Sequence, residues 1–361
     1  MADTRVLGGN DRATLMGLLI AVALTLYGGA AQRRHARHIV AASHGATDDG
    51  HGRAATWPSE IPPRGWWDIA LRVKDNLSRH NTSLIAAGIA FYVFLAIPSA
   101  VTALVSLYGL VFDPRTVAQQ VAALQGVLPA DVIKLVSDQL QAITARPAAT
   151  LGVGLLVSVL LAIWGARSAT GALISALNIT YEEPERRNFF RLQAITFGLT
   201  LGAVLFAVVA LALVAVLPAV VHLLPLGAVG TWVALVLPWP ILLVLVMVML
   251  AAVYRYAPSR EEPRWRWVSW GAVIATALWL AGSAGFSLYV GKFASYDKTY
   301  GSLGAVVVLL LWLYLTAFIA LLAAEFNAET EHQTARDSTT GQQRPLGQRG
   351  ARVADSVGAS R

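Results

Sequence analysis

Six long apolar runs limit what this chain can become more than any other feature. They are Leu84–Phe112, Ala149–Ala166, Leu192–Leu217, Thr231–Val253, Val268–Val290 and Leu303–Ala324. The hydrocarbon core of a bilayer is about 30 Å thick and takes about 20 mostly apolar residues as a helix. A seventh run, Ala13–Ala31, precedes the six. Charged residues make up only 14% of the chain, against about a quarter in soluble proteins. Lipid offers no partner to an open backbone N–H or C=O, so spanning segments of this length must be helices. The expected fold class is therefore all-α: a polytopic helical membrane protein with a six-helix core plus an extra N-terminal transmembrane helix.

Lys and Arg alternate between the connections. Gln32–Ser83 holds eight, Asp113–Pro147 three, Asn178–Arg191 three, Pro218–Gly230 none, Tyr254–Trp267 four, Gly291–Ser302 two, and the chain after Ala324 five. The positive-inside rule then puts the core's N-terminal side, the Tyr181 and Tyr254 loops and the C-terminal tail in the cytoplasm. Ala13–Ala31 would run N-out, C-in; as a cleaved signal it would leave a basic stretch outside, against that rule. The expected organisation is an added transmembrane segment at 1–31, a cytoplasmic linker at 32–64, a six-helix membrane domain at 65–329 and a disordered cytoplasmic tail at 330–361.

Two polar regions flank the first core span. Trp66, Ile69, Ala70, Val73 and Leu77 fall on one helical face, with Asp68, Arg72, Lys74, Asp75 and Arg79 on the other. That pattern predicts an amphipathic helix lying at the interface, with Trp66 and Trp67 at the headgroups. Beyond the span, Asp131 can cap a surface helix carrying Val132, Ile133, Val136, Leu140 and Ile143.

Candidate functional residues are those a lipid environment should exclude. Arg167 follows the apolar part of the second core span, with Ser168, Thr170, Ser175 and Asn178 after it. Such an Arg can snorkel to the interface, or face an inward-open vestibule and attract an anion. Pro98 interrupts the backbone bonding of the long first core span. Glu325 lies near the end of the last span, where the helix dipole disfavours a carboxylate, so a cation such as Arg167 or Arg255 is expected beside it. In the outer hairpin SYDKTYGSLG, Asp297 and Lys298 can pair, Tyr300 suits the interface, and Gly301 and Gly304 permit the turn into the last helix. Gly198 and Gly202 form a GxxxG pair of the kind that seats a neighbouring helix.

Several chemistries find little support. Cysteine is absent, which removes disulfides and thiolate metal sites. His35, His38, His44 and His51, with Asp48 and Asp49, are spaced like a polar linker rather than a metal site. A nuclease needs grouped carboxylates or paired histidines, and Glu182, Glu183 and Glu185 stand beside Arg186 and Arg187 as surface charge. Gly285–Lys292 is one residue too long for a phosphate loop, and Phe293 stands where Ser or Thr is required. Neither catalysis nor a cofactor or metal is expected. The expected partners are membrane lipids and a second copy of the chain, not nucleic acid.

Four stretches together resemble the YihY/BrkB family of bacterial inner-membrane proteins: AAGIAFYVFLAIPSAVTALVSLYG, WGARSATGALISALNITYEEPERRNFFR, YRYAPSREEPRWRWVSWGAVIATALW and FASYDKTYGSLGAVVVLLLWLYLTAFIALLAAEFNAE. The resemblance runs from about Trp66 to Glu329, with Ala90-Phe91-Tyr92 where the family usually has AYY. It implies a six-helix core with cytoplasmic termini. It also implies a ribonuclease BN label that is a misassignment, and a link to export of lipid precursors of the outer envelope. The function expected is translocation of lipid or another amphipathic envelope molecule, the alternative being a membrane scaffold that transports nothing. No carboxylate lies mid-span, which argues against conventional proton coupling, and no inverted repeat is evident.

Overall fold

The computed structural model describes residues 50–111, 148–217, 221, 227–292 and 302–360. The Ala13–Ala31 run, the Asp113–Pro147 connection and the hairpin residues Asp297, Lys298 and Tyr300 lie outside the described residues. Helices α1 to α9 cover Pro63–Arg79, Thr82–Val111, Ala148–Thr180, Phe189–Leu211, Gly227–Val236, Pro238–Tyr256, Trp265–Lys292, Ser302–Gln333 and Arg352–Asp355. Among the described residues the only β pairing is an isolated bridge between Pro263 and Thr339.

Six stretches are long and apolar enough to cross a bilayer: Thr82–Thr102, Leu156–Thr180, Phe189–Val214, Trp232–Tyr256, Trp265–Gly291 and Gly304–Gln333. They match the six core runs, with α5 and α6 sharing one. The chain is a polytopic helical membrane protein. Helices α2, α3 and α8 contain 30, 33 and 32 residues. At 1.5 Å per residue that is roughly 45–50 Å, so each must tilt or protrude from a core about 30 Å thick.

Helix α8 is central and packs on α1, α2, α3 and α7, while α2 lies along α3 and α6 against α4 and α7. Helices α2 and α3 come close at Gly165, where an added Cβ would sit 3.0 Å from the Ala96 Cα. Burial concentrates at one end of the bundle, where Ala86, Ala176, Ala251, Ala257, Ala272, Ala323, Ala324 and Ala328 pack with Leu177, Tyr181, Tyr254 and Leu321. Small side chains there let backbones come close. Among the described residues no helix seats on the Gly198–Gly202 pair, since a Cβ on either glycine meets open space.

Three expectations are corrected at the crowded end. Residues 50–64, expected to be linker, are folded: Ala55 and Ile61 are buried with Ile69 and Val73, and Gln333 Nε2 donates to the His51 carbonyl (2.7 Å). Described residues beyond Glu329, expected to be disordered, form a cap. The Arg349 guanidinium donates to the carbonyls of Ala335, Arg336, Arg344 and Ala354, and Val353 joins the core. Polar composition concealed this because the order comes from one cation gripping several carbonyls rather than from apolar burial. Finally, α1 does not simply float at an interface. Asp68 and Arg72, assigned to its solvent side, are buried with Ile69, Val73 and Asn76, because His51 meets Asp68 and α8 presents polar groups to Arg72.

Two tight corners set up that end. Asn81 (φ 52°) follows α1 and reverses the chain into α2, and Glu182 (φ 53°) does the same after α3. Asn tolerates this left-handed geometry well and Glu poorly.

Candidate functional site

The i+4 series Asp68, Arg72, Asn76, His80 runs down one ridge of α1 and its cap. The series Glu325, Glu329, Gln333 runs down α8. Residues four apart stack on one helical face, so the two rows interlock along their length. Arg72 Nε donates to Glu329 Oε2 (2.5 Å), and its terminal nitrogens reach Gln333 Oε1 (2.6 Å) and the Ala359 carbonyl (3.0 Å). Asn76 Nδ2 donates to Glu329 Oε1 (2.7 Å). His80 Nδ1 lies 2.7 Å from Glu325 Oε1.

This row leads outward through His80. The His80 Nε2 atom is 3.8 Å from Glu182 Oε1, and Glu182 in turn takes Arg79 (2.9 Å) and Arg352 (2.6 Å). Side-chain exposure rises along the chain of contacts, from 0% at Glu325 to 9% at His80 and 31% at Glu182. The Glu182 and Glu325 carboxylates raise the His80 imidazole to about 9; by distance Glu325 is the tighter partner. His80, then Arg352 and Arg79, hold Glu182 down to about 2. His80 is thus a cation at neutral pH between two carboxylates.

A second buried pair stands beside the first. Arg260 donates to both carboxylate oxygens of Glu331 (2.9 and 2.7 Å) and lies 4.6 Å from the centroid of the Tyr181 ring. Burial opposes the Arg260 charge, and Glu331 more than restores it. Burial also pushes the Tyr181 hydroxyl upward, and that oxygen makes no hydrogen bond within the described residues.

The residues singled out from sequence are not gathered into one site. Arg167 lies thirteen residues before Thr180, the end of its span, so roughly 20 Å up the helix. The helix continues unbroken through the polar residues after it. Arg167 donates to the Gln193 side-chain carbonyl (2.8 Å), a neutral partner. Ser168, Thr170 and Ser175 donate to carbonyls four residues back on their own helix, which explains how they are tolerated without a water-filled groove. Asn178 is a clamp, donating to Glu185 (2.9 Å) and accepting from the Ser259 amide (2.7 Å). Pro98 sits on an exposed face within a continuous α2. The cation beside Glu325 is neither Arg167 nor Arg255; Arg255 pairs with Glu262 (2.7 Å). Sequence reading passed over Asn76 and His80, although the four-residue spacing of both rows was the available signal.

The sequence profile described as Virulence factor BrkB matches residues 73–347. The chain belongs to the BrkB family. The ribonuclease-like protein YfkH of Bacillus subtilis (strain 168) is 30% identical over 223 residues, 60% of this chain and 78% of YfkH. The UPF0761 membrane protein YihY of Salmonella typhimurium (strain LT2) is 32% identical over 196 residues, 54% of this chain and 63% of YihY. A UPF0761 membrane protein of Chromobacterium violaceum is 35% identical over 86 residues, 24% of this chain and 20% of its own length. This BrkB-family chain therefore spans under two thirds of the latter two. No solved structure matches it.

Proposed function

We propose that this BrkB-family protein translocates anionic lipid or a similar amphipathic envelope molecule across the bacterial inner membrane, with the crowded end of the bundle in the cytoplasm. The observation that carries the reading is Arg167. A guanidinium within a spanning helix is costly in lipid and is retained where it faces a partner, a cavity or a substrate path. Its side-chain partner among the described residues is the neutral Gln193, which leaves the charge uncompensated. An anionic headgroup passing with its tails still in the bilayer supplies the missing charge. Sidedness rests on the Lys and Arg count, which places the basic connections at the crowded end.

The name of YfkH raises a nuclease reading for this chain. Among the described residues no group of three His, Cys, Asp or Glu is placed to hold a metal ion, so nothing in the described geometry favours it. The scaffold reading has one specific observation behind it: Ser168, Thr170, Ser175 and Asn178 are all engaged locally, so only Arg167 marks a path.

The test is a leaflet-accessibility assay in liposomes carrying fluorescent anionic or zwitterionic phospholipid. Wild type should make inner-leaflet anionic label accessible to an external quencher. Arg167→Ala should slow that by roughly tenfold or more, the loss of about 1.4 kcal/mol of headgroup attraction, and Arg167→Lys should retain a part. A folded wild type with no activity on any headgroup would replace translocation with the scaffold.

A further inference from the structure

We propose that Glu325, His80 and Glu182 form a proton-binding relay, with Glu325 as the storing group inside the membrane domain and Glu182 as its cytoplasmic opening. It rests on the sidedness and translocation reading above and adds the coupling ion to it. No carboxylate lies mid-span, which argues from sequence against conventional proton coupling. Glu325, towards the end of the Gly304–Gln333 span, is nevertheless without exposed surface and can hold a proton away from water.

Three features distinguish this arrangement from an ordinary buried ion pair. The partner of Glu325 is an imidazole, which exchanges protons, whereas Glu329 and Glu331 are gripped by the guanidinium groups of Arg72 and Arg260, which do not. Buried Asp68 likewise meets an imidazole, that of His51 (2.7 Å), but among the described residues no second carboxylate stands beyond it in the row. The imidazole bridges two carboxylates with its two nitrogens, at 2.7 and 3.8 Å. The three groups form a line from full burial to partial exposure, the geometry a path requires. The longer Nε2 contact leaves that junction as the one that must tighten for a proton to pass.

The surrounding charges allow both states. From α1, Asn76 Nδ2 reaches Glu325 Oε2 (3.5 Å), and Arg72 neutralises Glu329. From α8, Glu329 adds negative charge near Glu325 and His332 Nδ1 lies 3.4 Å from Glu329. At the end of α3 stand Glu182 and the Tyr181 hydroxyl. From α6 comes Tyr254, which donates to the Ala320 carbonyl (2.8 Å). Arg260, in the α6–α7 connection, is committed to Glu331, and Arg79 and Arg352 to Glu182. His80 is therefore the cation in direct contact with Glu325 among the described residues.

Loading takes up one proton. The Nδ1 proton of cationic His80 passes to Glu325 Oε1, leaving a neutral acid and a neutral ring protonated at Nε2. One proton entering from the cytoplasm past Glu182, with a turn of the ring, restores the imidazolium. Glu325 is then neutral, its attraction to His80 is gone, and α8 is freer to move against α1. Unloading reverses each step.

The test is pH-difference infrared spectroscopy on the full chain in nanodiscs, which reads the carboxylic-acid C=O stretch and needs no lipid movement. Wild type should show a titrating acid band that Glu325→Gln abolishes. His80→Gln, which retains the carboxyl, should move the pH of that band by about one unit or more through loss of the opposing charge. Superimposable wild-type and Glu325→Gln spectra would overturn the relay, and so would a band unmoved by His80→Gln if Glu325→Gln does not fold. The leaflet assay run with an imposed pH gradient separates the two readings. A titrating Glu325 in protein that moves no lipid would support the relay and sink the translocator. Lipid movement alongside a silent Glu325 would sink the relay alone.

Discussion

One terminal nitrogen of Arg260 donates to both oxygens of Glu331, with neither side chain exposed, and Ser338 of the C-terminal cap donates to the same carboxylate (2.9 Å). Removing one member leaves a bare charge in the most crowded part of the molecule. Glu331→Gln should therefore lower stability by about 3–5 kcal/mol, read as a large fall in the thermal midpoint of purified protein in detergent. Arg260→Met with Glu331→Leu should be far less damaging than Glu331→Gln alone, because the pair is then replaced rather than broken. Equal losses in the single and double variants would show that the pair is not electrostatically closed.

Stability should have an alkaline limb set by His80. Its imidazole is raised from 6.5 to about 9, so the folded state holds the proton more tightly than the unfolded one. That contribution is complete below about pH 6.5 and is lost as pH rises through about 9. Glu182 behaves oppositely: lowered from 4.5 to about 2, it contributes above 4.5 and loses its contribution as pH falls toward 2. A midpoint-versus-pH curve should be flattest between the two limbs. His80→Gln should remove the alkaline limb; a wild-type midpoint unchanged up to pH 10 would refute the assignment.

The six spans were legible because lipid imposes a composition on every turn of a spanning helix, and no tertiary contact is needed to see it. Leu303–Ala324 and its neighbours fell where the structure puts them for that reason. The polar row was not read, although Asp68, Arg72, Asn76 and His80 recur every four residues. Charge on an amphipathic helix ordinarily marks a solvated face, and nothing local to α1 reveals that Glu325, Glu329 and Gln333 lie opposite. The apolar run stops at Ala166, but the helix carries on past Arg167 to Thr180. The polar successors of Arg167 hide their hydroxyls in their own backbone, which a hydropathy reading scores as exposure. The cap after Glu329 was illegible for another reason: Arg349 orders it through main-chain carbonyls, and a carbonyl has no sequence signature.

Gly271 gives a packing test inside the bundle. Asn327 Oδ1 accepts from the Gly271 amide (3.0 Å), and its Nδ2 donates to the Val268 carbonyl (3.3 Å). A methyl group at Gly271 would occupy the space of the Asn327 amide. Gly271→Ala should cost about 1–3 kcal/mol by overpacking, and Gly271→Val more. Adding Asn327→Ala to Gly271→Ala should cost less than the sum of the two single losses, since both act through one contact. Strict additivity by thermal denaturation would place the clash elsewhere.

The cap offers the last test, and it bears on the relay. Arg349 holds four carbonyls, and Asp355 accepts from the Arg349 and Gly350 amides (2.7 and 3.0 Å). At roughly 1 kcal/mol for each buried hydrogen bond, Arg349→Ala should release the cap while the spans stay packed. Cleavage after Arg336 and Arg352 by trypsin should then rise tenfold or more, in proportion to the open population. Release also takes Arg352 from Glu182 and the Ala359 carbonyl from Arg72. Glu182 then loses one of its three cations, so the alkaline limb set by His80 should shift in pH together with the onset of cleavage. Faster cleavage with an unmoved limb would make the cap a structural cover with no hold on the Glu182 opening.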